Sequence, residues 1–254
     1  MTFDTDKLEL PKHRVTMNAI NRFYYRTNIT VGDAINRHTI ESLGGSKFVD
    51  DGKIRFIASD HKSQPALDAL NEKRNLLKLV SLIASEYWIF GEVFPYTDLE
   101  NYPDVGAMTI INPDQIIVKK TFGGPDLLLL RTEILLRSGE LDDNTNTPQP
   151  NPKSISHLKM LGSPYDIRGT SIIVSAYEDL ERLRSGYFAK EIRQNDGDQA
   201  ELDIMENVIR EKLMFGDEAT RQQKYSEFRI QLVEWFEKIM NQVPELAGST
   251  IRFE

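Results

Sequence analysis

"HLKMLGSPYDIRGTSIIVSAYEDLERLRSGYF", residues 157–188, runs a Pro/Gly-punctuated lead-in straight into a helical stretch, and its reading decides the fold. The spacing predicts a helix from about Ser171 to Arg193. At about 100° per residue, Ile172, Ile173, Ala176, Leu180, Leu183 and Tyr187 fall in one stripe, the usual seam of a helix packed on one neighbour. Val174, Tyr177, Phe188 and Ile192 form a second, narrower stripe. Ser175, Glu178, Asp179, Arg182 and Arg193 occupy the remaining polar arc. Two seams require two covers. Each large apolar side chain withdrawn from water is worth about 1.5–3 kcal/mol, so the second stripe is expected to be covered by this chain's own fold or by a second copy.

Towards the C-terminus the polar break QNDGD separates this helix from AELDIMENVIREKLMF, which runs to Gly216. A long helix then passes through QKYSEFRIQLVEWFEKIMNQV to Pro244, with Tyr225, Phe228, Leu232, Trp235, Phe236, Ile239, Met240 and Val243 on one broad face suited to a core or a subunit contact. Towards the N-terminus, a short helix starts at Pro11 and ends at Asn28; a second begins at a Thr30/Asp33 capping box and stops at Gly44-Gly45. SKFVDDGKIRFI reads as a hairpin around Asp51-Gly52. Leu67 to Phe90 reads as one helix closed by Gly91. Three β-like runs follow, GEVFPYTDL, GAMTIINPDQIIVKK and DLLLLRTEILLRS, and predict an antiparallel sheet; residues 139–154 read as a polar loop or linker. The expected class is α+β, helix-predominant, in segments 1–156, 157–193 and 194–254.

The 254 residues, 40% of them hydrophobic, suffice for a proper core. No run approaches the roughly 18 apolar residues of a membrane span, and MTFDTDKLELPKHR lacks the apolar core of a secretory signal, so a soluble, non-exported chain is expected. The absence of cysteine excludes disulfides, thiolate zinc sites and thiol nucleophiles. The net charge is −8, with 39 Asp plus Glu against 31 Lys plus Arg, the reverse of the basic surface with which proteins grip duplex DNA. A protein that lets DNA pass, or one that binds other proteins, remains compatible with that balance.

Motifs for chemistry are weak. Gly44-Gly45-Ser46-Lys47 lacks the upstream glycine and the Lys-Ser/Thr order of a phosphate loop. His13, His38, His61 and His157 share no i, i+4 pairing, and Gly162-Ser163-Pro164 lacks the second glycine of a nucleophile elbow. Glu178 and Glu181 lie one helical turn apart and could in principle hold a divalent metal for nucleic-acid cleavage, but Arg182 and Arg184 can neutralise them as surface pairs. No catalytic residue, metal or cofactor is expected. A metal-dependent nucleic-acid enzyme on Glu178/Glu181 and a helical protein-binding adaptor stand as alternatives.

YWIFGEVFPY at 87–96, INPDQIIV at 111–118 and MLGSPYDIRGTSIIVSAYEDLERLRSGYFAK at 160–190, together with the earlier FYYRTNITVGDAINRH, occur in an order that resembles the portal proteins (head-tail connectors) of tailed bacteriophages, over roughly residues 15–193. The resemblance implies a wing with a small antiparallel sheet, long stem helices, and a ring-shaped homo-oligomer of about a dozen copies at the capsid vertex of the virion. In that family the ring is a passive channel for DNA packaging and ejection and has no active site. It docks terminase, meets the major capsid protein and neck or adaptor proteins, and touches double-stranded DNA without sequence preference. Carried onto this chain, Ile173, Leu180, Leu183, Tyr187 and Phe188 would lie between subunits, and Arg182 and Arg193 would face the channel. Glu191-Ile192-Arg193 is followed at once by QNDGDQAELDIMENVIREKL, where the family places a clip module, so the chain reads either as a reduced portal or as segments of a longer one.

Overall fold

Asn28 closes one helix and opens the next. Its backbone N–H donates to Tyr24 O (2.9 Å) while its side-chain oxygen accepts from Val31 N (3.0 Å), satisfying an orphan group at each helix end. The computed structural model describes residues 13–44, 56–58, 61–97, 108–119, 127–130, 154–160, 166–193, 199–243, 246 and 251–253. In chain order the named elements are α1 (Arg14–Thr27), α2 (Ile29–Ser42), β1 (Phe56–Ala58), α3 (Gln64–Arg74), α4 (Leu76–Phe90), β2 (Glu92–Thr97), β3 (Met108–Ile111), β4 (Ile116–Lys119), β5 (Leu127–Leu130), β6 (Leu158–Lys159), α5 (Tyr177–Arg193), α6 (Gln199–Leu213), α7 (Glu218–Met240) and β7 (Ile251–Phe253). The class is α+β with helix predominant, as the pattern predicts.

Several boundaries differ from expectation for local reasons. Asn28, rather than Thr30, caps α2, because it lies far enough upstream to take the Val31 amide first. The helix expected over Leu67–Phe90 is two helices, broken at Asn75, which sits in the left-handed region (φ 49, ψ 54) and caps α4 by accepting from Lys78 N. Phe56–Ala58 pairs with Ile251–Phe253 near the C-terminus, a non-local partner; the Asp51-Gly52 turn and the 139–153 part of the linker lie outside the described residues. The lead-in to α5 is a 3-10 turn over Ile172–Ala176, capped by Ser171, whose hydroxyl accepts from Ile173 N (3.1 Å) and donates to Ile89 O (2.6 Å).

The sheet is three-stranded and antiparallel in the order β3-β2-β6, while β4 and β5 form a separate ladder. Main-chain polarity along β2 follows from its partners. Gly91 O accepts from Met160 N (2.7 Å) and Pro95 O from Ser156 N (2.9 Å), so the odd positions face the β6 side. Phe94 and Tyr96 therefore bond Ile111 and Thr109 of β3. Pro95 takes part through its carbonyl alone, which accepts from Ser156 N beyond the two-residue β2–β6 ladder. Side chains alternate likewise: Val93 enters the main core, whereas Phe94 and Tyr96 pack with Ile116, Leu128 and Ile155 in a smaller cluster on the opposite face.

One main core draws on all three sequence segments, from Tyr24 to Leu246, with Trp88, Tyr87, Tyr225, Phe228, Trp235 and Phe236 among its largest buried side chains. α7 stitches it together. Arg229 donates to the carbonyls of Glu41 and Ser42 (both 2.8 Å) at the α2 C-terminus, and Gln231 accepts from Lys159 N (2.7 Å) and donates to Lys159 O (3.1 Å), covering the outer edge of β6.

The tightest approach joins Gly91 to Gly169-Thr170. A Cβ on Gly91 (φ 75) would lie 2.2 Å from the Thr170 carbonyl carbon, and one on Gly169 would lie 1.8 Å from Gly91 O. Backbone cannot yield there as a side chain could. Gly91→Ala and Gly169→Ala are expected to cost more than about 3 kcal/mol each in thermal or urea unfolding. Gly216→Ala, equally left-handed (φ 72) but with open space around it, is expected to cost only about 1–2 kcal/mol.

Candidate functional site

The residues singled out on α5 fall in unlike surroundings. Ile173, Leu180 and Leu183 are 0%, 1% and 2% exposed and belong to the main core together with Leu202 and Ile209 of α6. Their side chains are covered within the one chain. Gly186 makes this possible, since its missing side chain lets Leu202 approach, within 2.8 Å of where a Cβ would be. Of the second stripe, Tyr177 is buried edge-on against Tyr24 of α1 (centroids 6.4 Å apart), and Val174 is half-buried. Arg182 is exposed; the side chains of Tyr187, Phe188 and Arg193 lie outside the described residues. The carboxylates do not converge. Glu181 accepts from the Tyr24 hydroxyl and from Arg184, Asp179 pairs with Lys212, and Glu178 points to solvent. Among the described residues no group of His, Asp or Glu is placed to hold a metal ion.

The most concentrated polar site lies elsewhere, at the start of β2. Glu92 is fully buried and its carboxylate accepts from Arg14 (2.8 Å), from Arg168 Nε (2.8 and 3.0 Å), from His157 Nε2 (3.0 Å) and from Gly169 N (3.2 Å). Burial alone would raise its pKa; the hydrogen bond from His157 and the charges and bonds of Arg14 and Arg168 overcome this and hold it at about 2. Burial lowers the His157 pKa, against the raising effect of the carboxylate beside it. Arg168 also donates to Ile116 O (2.9 Å) and Pro113 O (3.1 Å), and its guanidinium lies over Phe94 at 5.4 Å. His157 stacks on the same ring at 4.5 Å.

A second carboxylate extends the network. Asp114 accepts from Asn18 Nδ2 (2.6 Å) and Arg22 Nη1 (2.7 Å), while Arg22 Nη2 donates to Asn112 (2.8 Å) and its guanidinium covers Phe90 at 4.7 Å. α1 thus presents Arg14, Asn18 and Arg22, spaced four apart on one face, to the ends of β2 and β3. With its acceptor positions filled, Glu92 stays ionised and takes up no proton at neutral pH. The cluster is a clamp, not an acid/base pair.

Sequence reasoning missed this cluster because the partners of Glu92 are 65 to 78 positions from it. The local sign was the NPD turn at 112–114, whose asparagine accepts from Asp114 N (3.1 Å). A further buried polar chain links α2, α6 and α7. His38, fully buried and stacked on Trp88 (5.0 Å), reaches Leu213 O through Nε2 and the Tyr225 hydroxyl through Nδ1 (both 2.8 Å), and that hydroxyl donates to Glu41 (2.8 Å). Burial lowers His38 to about 4, against the pull of the Leu213 carbonyl and Glu41.

No family model matches this chain, and no curated protein does. Among the described residues, no helix is long and apolar enough to cross a membrane.

Two expected outcomes follow from the buried charges. Glu92→Gln leaves two arginines without their counter-charge and is expected to destabilise by about 3–5 kcal/mol in urea unfolding. His38 has a folded pKa below its usual 6.5, so the neutral ring is favoured by folding, and stability falls as pH drops from about 6.5 towards 4. That change is on the order of 3 kcal/mol for His38 and should be missing from the His38→Gln pH profile.

Proposed function

We propose that the chain is a subunit of a portal-type assembly: a ring-shaped homo-oligomer at a phage capsid vertex, without enzymatic activity, through which DNA is packaged and ejected. One observation supports this reading. Three of the stretches that carry the resemblance, YWIFGEVFPY, INPDQIIV and the RGTS lead-in, meet around a single carboxylate, with Glu92 from the first bonded to Arg168 and Gly169 from the third, and Arg168 bonded to Pro113 and Ile116 of the second. A common junction is the reason such distant stretches would keep company in one family.

In this reading the β3-β2-β6 sheet with α1 and α4 is the wing, and α5 and α6 are stem-like. Terminase, the major capsid protein and neck proteins are the partners, and contact with double-stranded DNA is non-specific. Ring contacts then use surface other than Ile173, Leu180 and Leu183; exposed Arg182 is the described channel residue. A helical protein-binding adaptor is the second reading, favoured by the burial of that seam within one chain.

Size-exclusion chromatography with light scattering separates the two. The portal reading expects a closed particle of about a dozen chains at micromolar concentration, with Arg182→Glu leaving its size unchanged and reducing retention on duplex DNA at low salt. A monomer at all concentrations overturns it in favour of the adaptor.

A further inference from the structure

β3 is an edge strand among the described residues, and the polarity of β2 fixes what that edge offers. Because Thr109 and Ile111 spend their main-chain groups on Tyr96 and Phe94, the N–H and C=O groups of Met108 and Ile110 point away from the sheet. They do not point into open water alone. A groove of about 570 Å³ lies between this edge and α4, lined by Lys78, Leu82 and Glu86 from the helix, by Met108 and Ile110 from the strand, and by Asn112 just after it. Lys78, Leu82 and Glu86 are successive i, i+4 positions and form one stripe along the groove.

The charges of that stripe make no direct bond among the described residues. Neither the Lys78 ammonium nor the Glu86 carboxylate has a hydrogen-bond or ion-pair partner among the described residues, although their neighbours are paired. Burial pushes the Glu86 carboxyl above its usual range; the charge of Arg22 opposes this and that of Asp114 adds to it. Between the two, Leu82 is 47% exposed. The groove therefore has a cation at one end, an anion beside the Asp114-paired Arg22 at the other, an apolar middle and, along one wall, the main-chain groups of Met108 and Ile110, which have no partner among the described residues.

We propose that this groove binds an extended segment of a partner protein as an added strand, antiparallel to β3, with a basic side chain on Glu86, an apolar one on Leu82 and an acidic one on Lys78. The spacing follows from geometry. Eight helical residues separate Glu86 from Lys78, about 12 Å along the axis. A strand covers this in about four residues, an even number that returns both charged side chains to the same face. The order follows from Arg22, which donates to Asn112 and is the opposing charge acting on Glu86, so the Asn112 end of β3 lies at the Glu86 end of the groove and Met108 towards Lys78. An antiparallel segment enters at Glu86 and leaves at Lys78, giving the pattern basic-x-apolar-x-acidic. Main-chain bonds to Met108 and Ile110 supply affinity and the two charges supply direction. The inference rests on neither the portal nor the adaptor reading.

The test uses the whole chain and a fluorescent peptide, capped at both ends, with arginine, leucine and glutamate at alternate positions and threonine between them. It is compared with the same peptide with arginine and glutamate exchanged. The first is expected to bind at least tenfold more tightly, Glu86→Gln and Lys78→Gln each to weaken it about fivefold, and the double variant Lys78→Glu/Glu86→Lys to prefer the exchanged peptide. N-methylation of the amides in one alternate register abolishes binding, and in the other register leaves it intact. Equal binding of both peptides, no binding at millimolar concentration, or indifference to N-methylation overturns the proposal. So does self-association of the chain that is lost in Lys78→Glu, which assigns the groove to a second copy.

Discussion

The contact on which the remaining structure depends is the meeting of two backbones at Gly91 and Gly169-Thr170. Gly91 ends α4 in the left-handed region, gives its carbonyl to Met160 N, and lies so close to Thr170 that neither glycine can carry a side chain. Glu92 follows directly, so a steric contact delivers the buried carboxylate to Arg14, His157 and Arg168. Ser171 then ties the same junction to Ile89 before the chain turns into α5. The charge cluster is thus best understood as a lock on a backbone crossing. Its arginines offset the desolvation of Glu92, and the crossing sets the distances that let them do so.

Legibility in the sequence followed the range of the interaction involved. Asn28 and Gly91 punctuate the chain through their own backbone preferences, and the helix ends they imply are found where they stand, whereas α6 ends at Leu213, short of Gly216. Asn75 was hidden because its left-handed conformation interrupts an apolar pattern that continues on both sides. The β1–β7 pairing joins Phe56–Ala58 to Ile251–Phe253, far apart in sequence, and leaves no local trace. Glu92, Arg14 and Arg168 each look like a surface charge in their own neighbourhoods. Only the fold brings them together.

The paired stripes of the central helix show how a periodicity argument can be sound and still leave its cover undetermined. Apolar surface there did demand burial, and the described part has it, but α6 and α1 of the same chain provide it. The 3-10 turn over Ile172–Ala176 advances about 120° per residue, so the first three members of the main stripe are not in the register that a uniform α-helix gives them. What remains in register, Leu180 and Leu183, packs beside Leu202 because Gly186 removes the obstacle between the helices.

Charge limits the partners more sharply once the buried groups are discounted. Arg14, Arg22 and Arg168 are spent on Glu92, Asp114 and main-chain carbonyls, so they do not offset the acidic surface from which the net charge of −8 arises. A phosphate backbone meets that surface with little attraction, which suits DNA that must slide and is unfavourable for DNA that must be held. The groove between α4 and β3 obeys a different rule. Its two charges, Lys78 and Glu86, lie about 12 Å apart, further than the screening length of about 8 Å at physiological ionic strength, so each acts on its own part of a bound segment. Salt would then slow encounter with a partner more than it would relax the order of charges the groove selects.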